Sequence, residues 1–545
     1  MSECWFDAWP TYSGIGTVVL GDPSCSVRGE ATASLDEFGI LSLTLEVDPS
    51  QSSEDCRHDI LAVLIGGEPK AIKRGTRMPL KASPRSGTAV KIDTPDGVFE
   101  ITSGFDYAPT FGDGTRLRFQ PLRSRFTADS AGRPAYWVIP LVNFVSEFRP
   151  HEPGVGSHVL RINQTHETPI GPEGGERDPE WVRSALQNRL IGFEYSGELA
   201  FIEPLSDYAD RKSRLLGGTA RGLVTAVMVG RVPEGLEDVE DVYSWVPLGL
   251  TLALSLATGV EVRPAWIELR DAEGQISARY HTGGFPCYSK GYRFIDEGVH
   301  RGTGQLLTRW LQATHLKRDP LHAAARNIVL SGHYGARTLD DGLRHAAVAI
   351  EMLCESLHVR KVPSMGSKGG KRALFKIIDG AQESIEKLAA KARKDGASER
   401  ADAFELVAGQ ISTFRGPRAS FGETVTALIR HEQFPDADIV CSAYERSPWH
   451  PDFKTWERLL SAFRGKAMHG ALLEAKDSRE VEIAYHTTNH LRDLAVRSIL
   501  KEIGYTGRYQ PSLIVALTSQ PFDWVKPEFS LDRLGYEFTK KSRTS

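Results

Sequence analysis

The stretch RTLDDGLRHAAVAIEMLCESL, residues 337–357, determines how the second half of the chain folds. Its apolar residues recur at alternating four- and three-residue steps and are Leu339, Leu343, Ala346, Ile350, Leu353 and Leu357. Because an α-helix turns about 100° per residue, these positions form one apolar stripe. Thr338 followed by Asp341 resembles a capping box with Asp in place of Glu. The sequence therefore predicts an amphipathic helix that packs into a core, since a coiled-coil seam needs more heptads than are present.

The helical pattern continues from this stretch towards the C-terminus. Further helices are predicted near residues 371–394, 399–412, 421–430, 452–475 and 481–503. We expect an all-α bundle over residues 302–510, followed by a C-terminal tail over residues 511–545.

The first half of the chain has a different periodicity. Residues 27–47, VRGEATASLDEFGILSLTLEV, contain two alternating runs around a DEFG turn, and residues 90–105 repeat this pattern around TPDG. The run AYWVIPLVNFV, residues 135–145, is rich in β-branched and aromatic side chains. Such short strands separated by turns predict a β-rich, sandwich-like domain over residues 1–170, a candidate sensor.

A linker is predicted where glycine, proline and charge concentrate, in PIGPEGGERDPE, residues 169–180. A mixed α/β region follows over residues 181–300, with an apolar helix near 248–257 and a hairpin in 263–284. The predicted fold class is therefore α+β and multidomain, with a β-rich N-terminal region followed by a helical bundle.

Composition restricts where the protein works and what it binds. The net charge of −4 gives no global basic excess, so RNA contact must be local. Residues 360–418 hold thirteen basic and seven acidic side chains, an arrangement more typical of solvated helix faces than of phosphate binding.

The six cysteines are scattered without a CxxC pair, which argues against zinc and disulfides and favours a reducing compartment. We predict a cytoplasmic protein, because no signal peptide is evident and the most apolar window, residues 245–260, is too short to span a membrane.

An arginine and a histidine lie five positions apart in AFRGKAMHGAL, residues 462–472. The spacing alone does not identify a functional site, because the chain has at least six similar pairs. They are Arg161/His166, Arg293/His300, Arg309/His315, Arg326/His333, Arg464/His469 and Arg479/His486. Only Arg464/His469 follows a bulky aromatic helix face and precedes a glycine and a long final helix. In a continuous helix these two side chains would point about 140° apart, so long side chains or a second subunit would have to complete a site.

Three segments together resemble a known family. The first helix contains AAVAIEMLCESL, the motif RGKAMHG comes later, and HLRDLAVRSILKEIGYTGRY follows it. This order is similar to the HEPN superfamily, especially its ApeA-like group, which has a large β-rich N-terminal region. The resemblance implies a helical bundle that dimerises around the motif, pairing two motifs in one metal-independent RNA-cutting site. The residue after the motif arginine is commonly polar, often Asn, whereas this chain has Gly465. Some HEPN domains are catalytically inactive.

The resemblance assigns roles that suit the residue types. His469 would accept the proton of the RNA 2′-hydroxyl, since histidine is the side chain that titrates nearest neutrality. Arg464 would bind the scissile phosphate. Glu351 either orients Arg464, as in the family, or is a solvated helix-face carboxylate. Lys466, Lys371 and Arg372 are candidate RNA-binding residues. No metal or cofactor is expected.

Two hypotheses follow, from different functional classes. The first is an endoribonuclease of phage defence (abortive infection), whose N-terminal region senses a trigger, possibly of phage origin, and controls the nuclease. Its partners would be RNA, with tRNA as a candidate, and further copies of the chain in a homodimer or higher homo-oligomer. The alternative is a catalytically inactive HEPN-like dimerisation and binding protein with a ligand-binding β-domain, which Gly465 favours. An antitoxin-like HEPN partner fits the long N-terminal region less well.

Overall fold

Strands β2 (Asp22–Leu35) and β3 (Leu41–Val47) form the hairpin that the sequence predicts at the DEFG turn. The Asp36 carboxylate accepts a hydrogen bond from the backbone N–H of Ile40 at 2.8 Å. Gly39 has a φ of +71°, which glycine adopts more readily than other residues. Every second residue of β3 is buried, so the alternating pattern marks the face of the strand that enters the core.

The structure is a computed structural model, in which the described residues are Phe6, 9–47, 88–148, 189–295, 302–359, 368–434, 456–509 and 520–521. Within those ranges the gaps are 21, 103–104, 113–115, 122, 131, 234–238, 240–241, 243–248, 282, 290–292, 315–317, 333–337, 414–419 and 471–477. The predicted linker at 169–180 and most of the predicted tail at 511–545 lie outside the described residues.

The strands described before residue 300 belong to one antiparallel sheet. They are β1 (Thr11–Leu20), β2, β3, β4 (Thr88–Thr94), β5 (Gly97–Ile101), β6 (Phe105–Gly112), β7 (Arg116–Pro121), β8 (Ser124–Ala128), β9 (Tyr136–Val142), β10 (Ile191–Tyr195), β11 (Glu198–Pro204), β12 (Val224–Arg231), β13 (Arg263–Pro264), β14 (Trp266–Arg270) and β15 (Ile276–His281). Their order is β10-β11-β12-β9-β14-β15-β8-β5-β4-β1-β2-β3-β7-β6, and β13 also pairs with β9. A short pair, β16 (Arg508–Tyr509) and β17 (Gln520–Pro521), lies apart from this sheet.

Strands from both sides of the predicted linker join this sheet. Strand β9 hydrogen-bonds to β12 on one edge and to β14 on the other. The hairpin predicted in residues 263–284 is formed by β14 and β15. The predicted order of the chain, a β-rich N-terminal region followed by a helical region, is confirmed.

The described helices are α1 (Tyr208–Leu216), α2 (Leu250–Thr258), α3 (Gly302–Thr314), α4 (Arg318–Ser331), α5 (Leu339–Ser356), α6 (Lys368–Lys394), α7 (Ser398–Thr413), α8 (Phe421–Glu432), α9 (Trp456–Met468) and α10 (Ser478–Glu502). The apolar helix predicted near 248–257 is α2, and every residue of it is buried. None of the helices described is both long and apolar enough to cross a membrane.

The chain divides into two compact units. One contains the described residues before Thr338, with the sheet and helices α1 to α4, together with Ile499–Phe522. The other contains Thr338–Ser498 and so holds α5 to α9 and most of α10. The candidate site residues all lie in this second unit.

Helix α5 forms as its sequence predicts. Leu343, Ala346, Ile350 and Leu353 from the stripe are all buried. Thr338 is the N-cap residue, and its hydroxyl accepts a hydrogen bond from the backbone N–H of Asp341 at 3.3 Å. Helices α8 and α9 pack against α5 and against each other, which explains why the apolar stripe faces inward.

Helix α10 contributes buried polar groups to the second unit. Arg497 and Asp493 form an ion pair at 3.0 Å, and both side chains are fully buried. The Arg497 guanidinium lies 4.9 Å from the centroid of the Phe434 ring. The Ser498 hydroxyl donates to the buried Glu432 carboxylate at 2.6 Å and so links α10 to the end of α8. The part of α10 up to Ser498 therefore belongs to the buried interior of this unit.

A buried charge cluster lies within the sheet. The Glu268 carboxylate of β14 accepts hydrogen bonds from Arg279 Nε at 2.8 Å and from Arg270 Nε at 2.5 Å. Arg279 also donates to the Tyr12 hydroxyl at 3.0 Å, and that hydroxyl lies 3.1 Å from His281 Nε2. Burial raises the pKa of Glu268, but the two guanidinium groups outweigh burial and hold the pKa below its ordinary value.

We predict that Glu268→Gln destabilises the first unit. The substitution leaves Arg279 buried without its charge partner, and breaking a buried pair in this way costs on the order of 3 kcal/mol. The measurement is the free energy of unfolding from a urea titration. Glu100→Gln is the matched control, because Glu100 pairs with Lys91 at 3.6 Å on the exposed surface of the same sheet. Equal losses of unfolding free energy in the two variants would contradict the stabilising role assigned to the buried Glu268 pair.

We predict that His281 makes the first unit less stable in acid. Burial and the neighbouring Arg279 lower the pKa of His281 well below its ordinary value. Below about pH 6.5 the unfolded chain therefore binds a proton that the folded chain does not, and stability falls as pH falls. We expect urea titrations between about pH 7 and 5 to show a shallower loss for His281→Gln than for the wild type. The exposed His431, changed to Gln, is the control.

Candidate functional site

Helix α9 carries the predicted motif, and its buried face fixes the helix in the second unit. Leu460, Phe463 and Ala467 are each fully buried and recur at helical spacing along one side. The Ser461 hydroxyl accepts a hydrogen bond from the backbone N–H of Gly422 at 3.0 Å, at the start of α8. Arg464 lies beside the buried stripe and is only partly covered.

The helix ends within the motif, earlier than the sequence predicts. The predicted helix over residues 452–475 stops at Met468, and His469 lies in the turn that follows. The backbone N–H of Gly470 donates to the Ala467 carbonyl at 3.2 Å, with φ of +70° at Gly470. This left-handed conformation is the usual helix ending at a glycine.

The structure brings Arg464 and Glu351 together. Arg464 Nη2 donates to Glu351 Oε1 at 2.9 Å, joining α9 to α5. The two side chains are 34% and 36% exposed, so the ion pair contributes only about 0.2–1 kcal/mol to stability. Glu351 accepts from one of the five N–H groups of the guanidinium, whereas Arg464 Nε is buried and has no hydrogen-bond partner among the described residues. The contact suits an orienting role for Glu351 better than a freely solvated carboxylate.

Arg344, which the sequence analysis did not identify, also joins α5 to the motif. Its Nη2 donates to the backbone carbonyl of Ala467 at 3.0 Å, and its Nη1 lies 3.3 Å from Asp341 Oδ1. Arg344 precedes Glu351 by seven residues, so the two share one face of α5. That spacing was visible in the sequence, but the carbonyl partner was not.

His469 is exposed at the end of α9. It follows Arg464 by five residues, which corresponds to about 7.5 Å along a helix axis. Within the described part of the chain no hydrogen bond joins the two side chains. Lys466 comes between them in the sequence, and its Nζ lies 5.5 Å from the centroid of the Phe463 ring.

The remaining predicted RNA-binding residues lie elsewhere in the same unit. Lys371 and Arg372 belong to the first two turns of α6, and their side chains lie outside the described residues. The positive end of the helix dipole is at this end of α6. Their predicted role stays a prediction.

The site contains the groups needed for phosphate chemistry on an accessible surface. A guanidinium oriented by a carboxylate can bind a phosphate, and an exposed imidazole can move a proton. Among the residues described, no three His, Cys, Asp or Glu side chains lie together as ligands of a metal.

The chain was compared with protein-family models, curated proteins and solved structures, and it matches none of them. The resemblance to HEPN proteins therefore depends on the three sequence segments given above. The structure adds one observation, the contact between Arg464 and Glu351.

We predict that Gly465→Ala stabilises the helical unit by about 0.5–1 kcal/mol. Gly465 is inside α9, and a Cβ added there meets nothing within 4 Å. The matched control is Gly470→Ala, where there is equal space but φ is +70°, so that substitution destabilises by about 1 kcal/mol. Urea unfolding of the two variants measures both effects. Effects of the same sign would contradict the helix ending described above.

Proposed function

We propose that the protein is a metal-independent endoribonuclease of HEPN type. The observation that carries the proposal is the 2.9 Å contact between Arg464 and Glu351, on a helix that ends immediately before the exposed His469. An ion pair this exposed contributes little to folding, so its value lies in fixing the direction of the guanidinium. RNA cleavage through the 2′-hydroxyl requires both groups, a fixed cation and an accessible imidazole.

The proposed reaction uses the substrate's own nucleophile. His469 removes the proton of the 2′-hydroxyl, and the 2′-oxygen attacks the adjacent phosphorus. Arg464 binds the non-bridging oxygens and offsets the negative charge that builds on them. The bond from phosphorus to the 5′-oxygen breaks, and that oxygen takes up a proton. The products are a 2′,3′-cyclic phosphate and a 5′-hydroxyl.

We further propose that two copies of the chain form the working site. In a single chain, Arg464 is held towards α5 while His469 lies beyond the end of α9. A homodimer around the motif would place two such pairs beside one RNA strand. Control by a trigger bound to the N-terminal region, and a role in phage defence, are proposals that rest on the family resemblance alone.

We predict that Arg464→Ala and His469→Ala each reduce RNA cleavage about a hundredfold or more. The assay incubates purified protein with total RNA or tRNA in EDTA and identifies the ends of the products. Arg393→Ala is the matched control for the arginine, because Arg393 pairs with Glu405 at 2.7 Å on the same unit. His431→Ala is the control for the histidine, because His431 is also exposed near the end of a helix.

Cleavage that is undiminished in either motif variant would overturn the assigned mechanism. RNA binding without cleavage would favour the inactive binding protein, which Gly465 supports. Gly465→Asn separates these alternatives further, because the position has space for a side chain. Cleavage that appears only in this variant would show that the native chain is an inactive HEPN-like protein.

A further inference from the structure

We infer that Arg344 is a positioning residue that holds the His469 turn in place. The inference rests on the proposed function for its catalytic consequence, but the contact that carries it is independent of that function. Arg344 Nη2 donates to the Ala467 carbonyl at 3.0 Å, and His469 follows Ala467 by two residues. The guanidinium therefore binds the backbone of the turn that presents the histidine.

The last turn of a helix has carbonyl groups without intrahelical partners, and it carries the negative end of the helix dipole. A cationic donor is favoured at this end. At α9 the Ala467 carbonyl accepts two hydrogen bonds, one from Gly470 N–H at 3.2 Å and one from Arg344. The first comes from the turn itself, whereas the second ties the turn to a different helix. Only the second can fix where His469 lies relative to α5.

Arg344 is itself held from its own helix. Asp341 Oδ1 lies 3.3 Å from Arg344 Nη1, and the other oxygen of the same carboxylate accepts a hydrogen bond from the Thr338 hydroxyl at 3.0 Å. Thr338 is the N-cap of α5. A connected series of contacts therefore runs from the start of α5 to the end of α9.

Helix α5 then holds the motif at two points. Glu351 binds Arg464 at the start of the motif, and Arg344 binds the carbonyl of Ala467, two residues before His469. Arg344 and Glu351 lie about 10.5 Å apart along α5 and on one face. Helix α5 thus contacts both the motif arginine and the backbone of the turn that presents His469.

The fold of α9 does not depend on Arg344. Its attachment to the unit comes from Leu460, Phe463 and Ala467, which are fully buried, whereas the Arg344 side chain is 38% exposed. We therefore expect Arg344→Ala to fold normally and to loosen only the end of the helix. Normal folding of this variant together with a looser helix end would distinguish a positioning role of Arg344 from a role in stability.

The first test follows hydrogen exchange at residues 464–470 by mass spectrometry, in the full chain without RNA. We expect Arg344→Ala to exchange the His469 and Gly470 amides several-fold faster, while the thermal unfolding midpoint and circular dichroism stay unchanged. Arg344→Lys should restore part of the protection, since an ammonium group can also donate to the carbonyl. Arg393→Ala is the control and should leave this segment unchanged. Wild-type exchange in Arg344→Ala would overturn the inference.

The second test measures RNA cleavage by the same variants. We expect Arg344→Ala to lower kcat about ten- to a hundredfold with little change in KM, because misplacing a proton acceptor affects the chemical step more than binding. Arg344→Lys should recover part of kcat. Faster exchange with unchanged kcat would overturn the positioning role. A wild type that binds RNA without cleaving it would count against the proposed function, while the exchange experiment would still decide whether Arg344 holds the turn.

Discussion

Burial of the apolar stripe of α5 is the interaction on which the candidate site depends. Leu343, Ala346, Ile350 and Leu353 are excluded from solvent where α8 and α9 pack around them. Their burial fixes the rotation of α5 about its own axis. That rotation directs the half-exposed positions beside the stripe towards the motif, among them Arg344 and Glu351. The polar contacts at the site are weak, and burial of the apolar stripe, which stabilises the unit much more, holds them in position.

The sheet cluster and the motif use charge in different ways. In the sheet, Glu268 and Arg279 are withdrawn from water, so each must keep its partner for the fold to hold. Around the motif the charged groups are about one-third exposed, so they can exchange partners at small cost. The first arrangement favours a fixed structure, and the second is suited to receiving a phosphate. The contrast supports a structural role for the sheet cluster and a functional role for the motif.

Much of the helical unit could be predicted from periodicity. The helices expected near 371–394, 399–412, 421–430 and 481–503 occur within a few residues of those bounds as α6, α7, α8 and α10. The end of α9 was predicted less well, because the apolar pattern continues past Met468 and only Gly470 marks the left-handed turn. A glycine signals a helix ending weakly, since its conformation depends on the hydrogen bonds that the turn forms.

The sequence by itself determined the order of a β-rich and a helical region, the position of the DEFG hairpin and the inward face of α5, because each follows from a local periodicity. It also singled out Arg464 and His469 among at least six similar pairs by their surroundings. Only the tertiary structure decided that Glu351 reaches Arg464 and that Arg344 reaches the Ala467 carbonyl. Those partners lie more than a hundred residues apart, and a local pattern holds no information about which helix faces meet.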